Sequence, residues 1–310
     1  MLTKPIDVLE AFPVRKTKAQ KAAFRRETAA LASGWGYPVT EEKGSFGVHN
    51  LVIGDPEEAK YLVTAHYDTC ARLPFPNLIT PCDPWPFLAY QLLVAAVIVV
   101  PAFLVSFLWA FAGGSPWMGA LLTYLTIFGT LLLMLIGPAN PSNANDNTSG
   151  VVTVLEIARN LPENQRKQVC FVLFDLEEAG LLGSSAYRKA HKKAVQHQLV
   201  LNLDCVGEGD HIRLFPTKAL KKHREKGNAL EMLTGTYGEK NIRLVDKGFA
   251  VYPSDQQMFP YGVGICSLKQ SRWGLYLGRI HTPRDTILDE SNVNLLCAAI
   301  QKLICRDTAQ

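Results

Sequence analysis

Between Pro84 and Asn145 the chain carries no charged side chain. Inside this stretch lie two apolar runs, "FLAYQLLVAAVIVVPAFLVSFLWAF" at 87–111 and "WMGALLTYLTIFGTLLLMLI" at 117–136. Each is long enough to cross a bilayer as a helix, at about 20 residues per span. "AGGSP" between them reads as a tight turn. Tyr90, Trp109 and Trp117 lie near the predicted helix ends, where interfacial aromatics are common. Pro101 predicts a kink in the first span, a defect that membrane helices tolerate. The competing reading is an apolar hairpin buried in a soluble protein, but a globular core rarely needs two adjacent helices apolar on every face. The expected organisation is one discontinuous domain, 1–84 and 139–310, interrupted by a transmembrane helical hairpin at 85–138.

The rest of the 310-residue chain suits one large α/β domain. An alanine-rich helix is predicted over 18–32, followed by short strands in "YPVTEE", "HNLVIG" and "KYLVTAHY". Beyond the apolar stretch, "GPANPSNANDNTSG" is irregular by its Pro, Asn, Ser and Gly content. Helices are then predicted in "VVTVLEIARNL", "SSAYRKAHKKAV", over 219–233 and in "NVNLLCAAIQKLI". Between them come strands in "KQVCFVLFD", "HQLVLNLDCVG", "DHIRLFP", "KNIRLVD" and "GVGICSLKQ". Strands alternating with helices predict a sheet covered on both faces.

The net charge of +4 is spread along basic segments without interleaved aromatics, so nucleic acid is not an expected partner. Seven cysteines without short paired spacings argue against a disulfide framework and against a cysteine zinc site. The N-terminal stretch has no apolar core of the signal-peptide kind. Two spans return the chain to its starting side, and the cysteines and N-terminus place the domain on the cytoplasmic side of a membrane. The charges flanking the hairpin do not settle the side.

In "YLVTAHYDTC" the period of two puts His66 and Asp68 on one face of a strand. A buried histidine with a hydrogen-bonding partner explains the pair. So does a metal-ligand histidine oriented by a carboxylate. Further acidic residues follow other strands or open helices: Asp146 in "NANDNTSG", Glu177 and Glu178 in "CFVLFDLEEAG", Asp204 in "LVLNLDCVG". His281 lies in the irregular "GRIHTPRDT". Taken singly, each is an ordinary cap, turn or surface residue. Taken together, they can meet at the carboxyl ends of the strands, where ligands of open α/β sheets gather. Clustered carboxylates repel one another, and divalent cations relieve that repulsion. Carboxylate and imidazole are suitable zinc ligands, and the composition suits a two-metal site with a bridging carboxylate.

"TAHYDT", "NANDNTSG", "LFDLEEAGLLGSSAY", "NLDCVG", "SDQQMF" and "HTPRDT" occur in the order seen in the M28 family of zinc metallopeptidases, which the chain resembles outside the apolar insertion. That family includes bacterial leucyl-type aminopeptidases, and glutaminyl cyclases are its relatives. The resemblance implies a three-layer α/β/α fold with a mixed central sheet, as in zinc-dependent exopeptidases, here with the inserted two-helix hairpin. It also implies two zinc ions, with other divalent metals as substitutes. His66 and Asp204 resemble the ligands of one ion, Glu178 and His281 those of the other, and Asp146 the carboxylate that bridges them. Asp68 resembles the residue that orients His66, and Glu177 the general base.

The activity so implied is hydrolysis of the amino-terminal bond of a peptide by a water that the zinc pair activates and Glu177 deprotonates. Two features depart from the family. Gln256 stands where members often carry a histidine, which puts substrate specificity in question. The connection from Asp68 to Asp146 is far longer than usual, because the hairpin occupies it. The alternatives are a glutaminyl cyclase-like aminoacyl transferase and a catalytically silent, membrane-held binding protein on the peptidase fold. A serine hydrolase lacks its G-x-S-x-G elbow here, and the glycine motifs of nucleotide-binding enzymes are missing too, so no organic cofactor is expected. The expected partners are a peptide substrate and, through 87–136, the lipid bilayer. The oligomeric state is not legible.

Overall fold

The computed structural model describes residues 2–306 except 74 and 76. The strands, in chain order, are β1 (Val39–Lys43), β2 (His49–Ile53), β3 (Tyr61–His66), β4 (Leu78–Ile79), β5 (Val169–Phe174), β6 (Leu199–Leu203), β7 (His211–Pro216), β8 (Gly235–Tyr237), β9 (Lys240–Leu244), β10 (Gly262–Ser271) and β11 (Gly274–Gly278). They form one mixed sheet in the order β1-β2-β5-β3-β6-β10-β7-β9-β8, with β11 on β10 and β4 on β11. The middle four strands, β5-β3-β6-β10, run parallel. Their residues are apolar at consecutive positions because both faces are covered.

One face of the sheet, with Val63, Phe171 and Leu201, packs against helices Lys18–Gly34, Gly150–Asn160 and Glu290–Arg306. The alternate residues Leu62, Val172 and Val200 meet Tyr187 of helix Leu182–Ala190, and Phe259. The result is the expected three-layer arrangement. Each fully buried large apolar side chain contributes roughly 1.5–3 kcal/mol. Helix Lys18–Gly34 opens on a reciprocal cap. The Thr17 hydroxyl accepts the Gln20 N–H (3.2 Å), and the Gln20 side chain accepts the Thr17 N–H (2.9 Å).

Several local expectations differ from the fold. The single helix expected over 219–233 is two helices, Lys218–Lys222 and Arg224–Glu231. His223 between them is extended, and its Nδ1 accepts the Lys226 N–H to cap the second. The helix of "SSAYRKAHKKAV" stops at Ala190, where the His191 ring is engaged by Glu42 and Glu57. Strands β4, β8 and β11 were not expected. β11 continues from β10 through a two-residue turn, and β4 adds to its outer edge.

The apolar stretch forms two helices, Pro84–Phe111 and Pro116–Ile136. They pack on each other where small residues meet: Ala102 and Gly119 are buried, and a Cβ on Gly119 would stand 2.9 Å from the Ser106 hydroxyl. Their outer faces, with Phe103, Phe107, Phe128 and Leu133, stay exposed. The hairpin therefore does not supply a core helix to its own domain. It meets the domain at its root, where the Phe87 ring lies 5.5 Å from Phe249 and the Tyr90 hydroxyl donates to Asn77 (3.1 Å).

Candidate metal centre

Three parallel strands end at one edge of the sheet. β3 ends on His66, β5 leads into Glu177 and Glu178, and β6 leads into Asp204. Asp146 arrives from the turn before helix Gly150–Asn160, and His281 from the loop after β11. The chain bends sharply to deliver them. Leu176, Cys205 and His281 all adopt positive φ, near 56–58°, an unfavourable backbone region for residues other than glycine. Such conformations cost of order 1–3 kcal/mol each and concentrate at functional sites.

The five ligand-type residues read from the sequence converge. His66 Nε2 lies 3.3 Å from Asp146 Oδ1 and 3.6 Å from Asp204 Oδ1. His281 Nε2 lies 3.0 Å from the other Asp146 oxygen and 3.5 Å from Glu178 Oε1. Two ligand groups thus share Asp146, one oxygen on each side: His66/Asp146/Asp204 and Asp146/Glu178/His281. Glu177 stands beside His66 and Glu178. Every one of these side chains lines a single cleft, whose other walls include Asn77, Ile79, Tyr252, Leu277 and Ile280.

Asp68 makes more contacts than the one to His66. Its oxygen is 3.5 Å from His66 Nδ1, a long contact that leaves Asp68 beside the ring as expected. Its two oxygens also accept the backbone N–H groups of Glu177 (3.0 Å) and Glu178 (3.2 Å). Asp285 does the same for the other carboxylate loop, accepting the N–H of Asn145 (2.8 Å) and of Asp146 (3.0 Å). Asp285 lies inside "HTPRDT", yet sequence reasoning did not single it out. Cys70, two residues past Asp68, joins the second ligand group and was also missed. Behind the loops, the buried Arg15 donates from its side chain to the Thr148 hydroxyl, and Thr69 accepts the Arg15 backbone N–H. Gln256 does not line the cleft. It is buried, donates to the Tyr252 carbonyl (2.6 Å), accepts from Asn202 and lines a neighbouring cavity that shares Tyr252 with the cleft.

The site concentrates negative charge in a buried to half-buried cleft. Burial pushes the Glu177 carboxyl well above its ordinary value, and Glu178, Asp255 and Asp204 push the same way against His66. Burial likewise takes Glu178 to about 7. The same charge holds protons on the imidazoles: burial would lower His281, but Glu178 and Asp146 outweigh it and raise it to about 9. A cluster that must collect protons to be neutral is one that divalent cations satisfy. Two imidazoles and three carboxylates, one of them shared, fit a pair of zinc-type ions.

Fold and site together define a metallopeptidase architecture of the open α/β type. Residues 131–301 match the sequence profile of Peptidase family M28, more than half of the chain, and the chain belongs to that family. Aminopeptidase YwaD of Bacillus subtilis (strain 168) is 42% identical over 73 residues, 23% of this chain and 16% of that protein. The match thus spans a small part of that relative. Among solved structures, a Porphyromonas gingivalis glutaminyl cyclase superposes with a TM-score of 0.63 at 15% identity, covering 98% of this chain and 96% of that one. The Legionella pneumophila LapA aminopeptidase gives 0.56 at 14% identity, covering 97% and 68%. A leucine aminopeptidase precursor from Bacteroides thetaiotaomicron VPI-5482 gives 0.56 at 16%, covering 97% and 93%. At these identities the likeness is one of fold.

Proposed function

We propose that the chain is a metal-dependent aminopeptidase whose catalytic domain is held at a membrane by the apolar hairpin. The observation that carries the catalytic reading is the sharing of Asp146 between two ligand groups, with Glu177 beside them. His66 and Asp204 would hold one zinc ion, Glu178 and His281 the other, with Asp146 between. When bound, the pair would supply Lewis acidity toward the scissile carbonyl and acidify the attacking water.

The protein's own groups do the rest. Glu177 takes a proton from the attacking water on a side-chain oxygen and returns it to the departing amine. Proton transfer of this kind is worth about 10²–10⁴-fold when the group is held in place. Asp68 holds it, because the Glu177 N–H is pinned to that carboxylate. The apolar side chains of Ile79, Leu277 and Ile280 flank the cleft and favour an uncharged first residue. YwaD, named an aminopeptidase, supports cleavage from the amino terminus. A set of ligands for two ions favours hydrolysis over cyclization, in which the substrate's own amine is the nucleophile.

Metal analysis combined with a peptide panel tests this reading. The expected result is up to two divalent ions per chain and release of the first residue from free peptides, with N-acetylated peptides poor. Folded protein that takes up no metal overturns it. Equal cleavage of blocked and free peptides removes amino-terminal recognition. Release of pyroglutamate without hydrolysis replaces the peptidase with a cyclase.

The membrane reading rests on the exposed outer faces of helices Pro84–Phe111 and Pro116–Ile136. Exposed apolar surface on this scale marks an interaction surface, and two spans keep both halves of the domain on one side. We place that side in the cytoplasm, because seven cysteines, an odd number without short paired spacings, argue against a disulfide framework. The protein is expected to resist carbonate extraction and to need detergent for release. Full-length protein that is monodisperse without detergent overturns the membrane reading.

A further inference from the structure

The tip of the β10–β11 turn consists of Arg272 and Trp273. The Trp273 indole is 60% exposed, and the Arg272 guanidinium lies 4.8 Å from its ring centroid. The tip is tied down rather than loose. The Ser271 hydroxyl accepts the Trp273 N–H (3.0 Å) and donates to the Gly274 carbonyl (3.0 Å). Asp83, the last residue before the first apolar helix, accepts the Leu275 N–H at 3.0 Å. Gly274 has φ +104°, and a Cβ there would run into the Asp83 carboxylate. The turn and the root of the hairpin are therefore joined into one piece.

Trp273 stands in that piece beside Leu78, Trp85, Pro86, Ala89, Tyr90 and Leu93, which together line an almost wholly apolar groove. Helix lengths say what meets the groove. The first helix has 28 residues and the second 21, a difference of seven. At 1.5 Å per residue the second helix is about 32 Å long, which matches a hydrocarbon core of about 30 Å. The helices share their far turn, so the surplus of the first, about 10 Å, emerges at the root. The emerging residues 84–90 are the ones beside Trp273. At that level lies the headgroup layer, where an amphipathic indole and a guanidinium are both at home.

We propose that Arg272 and Trp273 enter the lipid interface next to the first turns of the hairpin, as a second membrane contact made by the peptidase domain itself. The proposal rests on the reading that the hairpin is embedded. The occupant of the groove is the interfacial layer of a bilayer, continuous with the lipid around the hairpin. This contact fixes the tilt of the domain, because β11 runs from the tip to the cleft wall at Leu277, where β4 pairs with it through Ile79.

The test uses the full chain in phosphatidylcholine–phosphatidylglycerol vesicles containing lipids brominated near the glycerol end of the acyl chain. The protein has five tryptophans, so variants keep one and replace four with Phe. Trp109 reports on the hairpin. Trp35, whose carbonyl accepts from Arg166 at the amino end of β5, reports on the opposite edge of the sheet. The expected result is loss of Trp273 and Trp109 emission with Trp35 unaffected. Quenching of Trp109 without Trp273 overturns this proposal and leaves the hairpin reading standing. Quenching of neither overturns both. A single exposed substitution, Trp273→Phe, gives a check independent of the multiple replacements: the chain should lose part of its quenchable emission, and an unchanged quenchable fraction overturns the proposal.

Discussion

Asp68 accepts the backbone N–H of Glu177 at 3.0 Å, and so binds the end of β3 to the loop that carries the proposed base. Asp68→Asn keeps an acceptor oxygen but loses the charge and one of the two amide contacts. Residues that support metal ligands in this way typically cost 10–100-fold in activity or metal affinity when changed. A loss of about that size is expected in turnover. Steady-state kinetics with metal analysis checks it, and unchanged values would return Asp68 to a purely structural role.

Glu177 and Glu178 are adjacent in sequence, and the proposed reaction assigns them different tasks. Glu177→Gln should leave metal content nearly intact and cut turnover by at least about 10²-fold. Glu178→Gln should lower metal content instead. Rates and metal content measured on the same preparations decide, and the reverse pattern would exchange the two assignments.

Asp146 presents one oxygen to each histidine. Asp146→Asn is therefore expected to weaken binding at both metal positions, and Asp204→Asn at one. Titration of the metal-free variants with zinc, followed by calorimetry, should give distinct stoichiometries. Identical losses in the two variants would mean that the bridging assignment is wrong.

Away from the cleft, His191 offers a pH-dependent clamp. Glu42 contacts its Nε2 (2.9 Å) and Glu57 its Nδ1 (2.7 Å), and the ring leans on Tyr187. The Glu42 contact, opposed by burial and joined by Glu57, raises the His191 pKa above its ordinary 6.5. A raised folded-state pKa means that the protonated form stabilises the fold. That contribution is complete below about pH 6.5 and disappears as the pH rises through the raised value. His191→Gln should destabilise the protein most at low pH and converge with the parent at alkaline pH. Urea denaturation at pH 5.5 and pH 9 measures the difference, and a gap independent of pH would remove the clamp.

Much of this was legible before any coordinates. The hairpin was legible because charge is absent over a long continuous run. The five ligand-type residues were singled out by the order of the motifs that carry them and by the family those motifs resemble; only His66 ends a strand, and Asp146 and His281 stand in irregular segments. What was not legible depends on contacts remote in sequence. β4 is two residues long, too short for any periodicity, and exists only because β11 pairs with it. Asp285 looks like an ordinary turn aspartate until its two oxygens are seen to hold the Asp146 loop. Gln256 stands where the family often has a histidine, and only the structure shows its side chain held between Asn202 and the Tyr252 carbonyl. The helix break at His223 follows from an extended backbone that local propensity does not announce.

Leu78 and Ile79 are successive residues of β4, so their side chains leave the strand in opposite directions. Leu78 faces the groove at the hairpin root, and Ile79 faces the catalytic cleft. The partition between the two is a single strand thick. With the hairpin embedded, a peptide adsorbed to the bilayer finds this cleft by lateral diffusion, a search in a plane rather than in a volume. Its encounter rate then follows its density per unit area of lipid, and a peptide that leaves the surface is diluted out of reach. On the proposed reading, partitioning into the membrane adds to the selectivity that the fit of the first side chain would give.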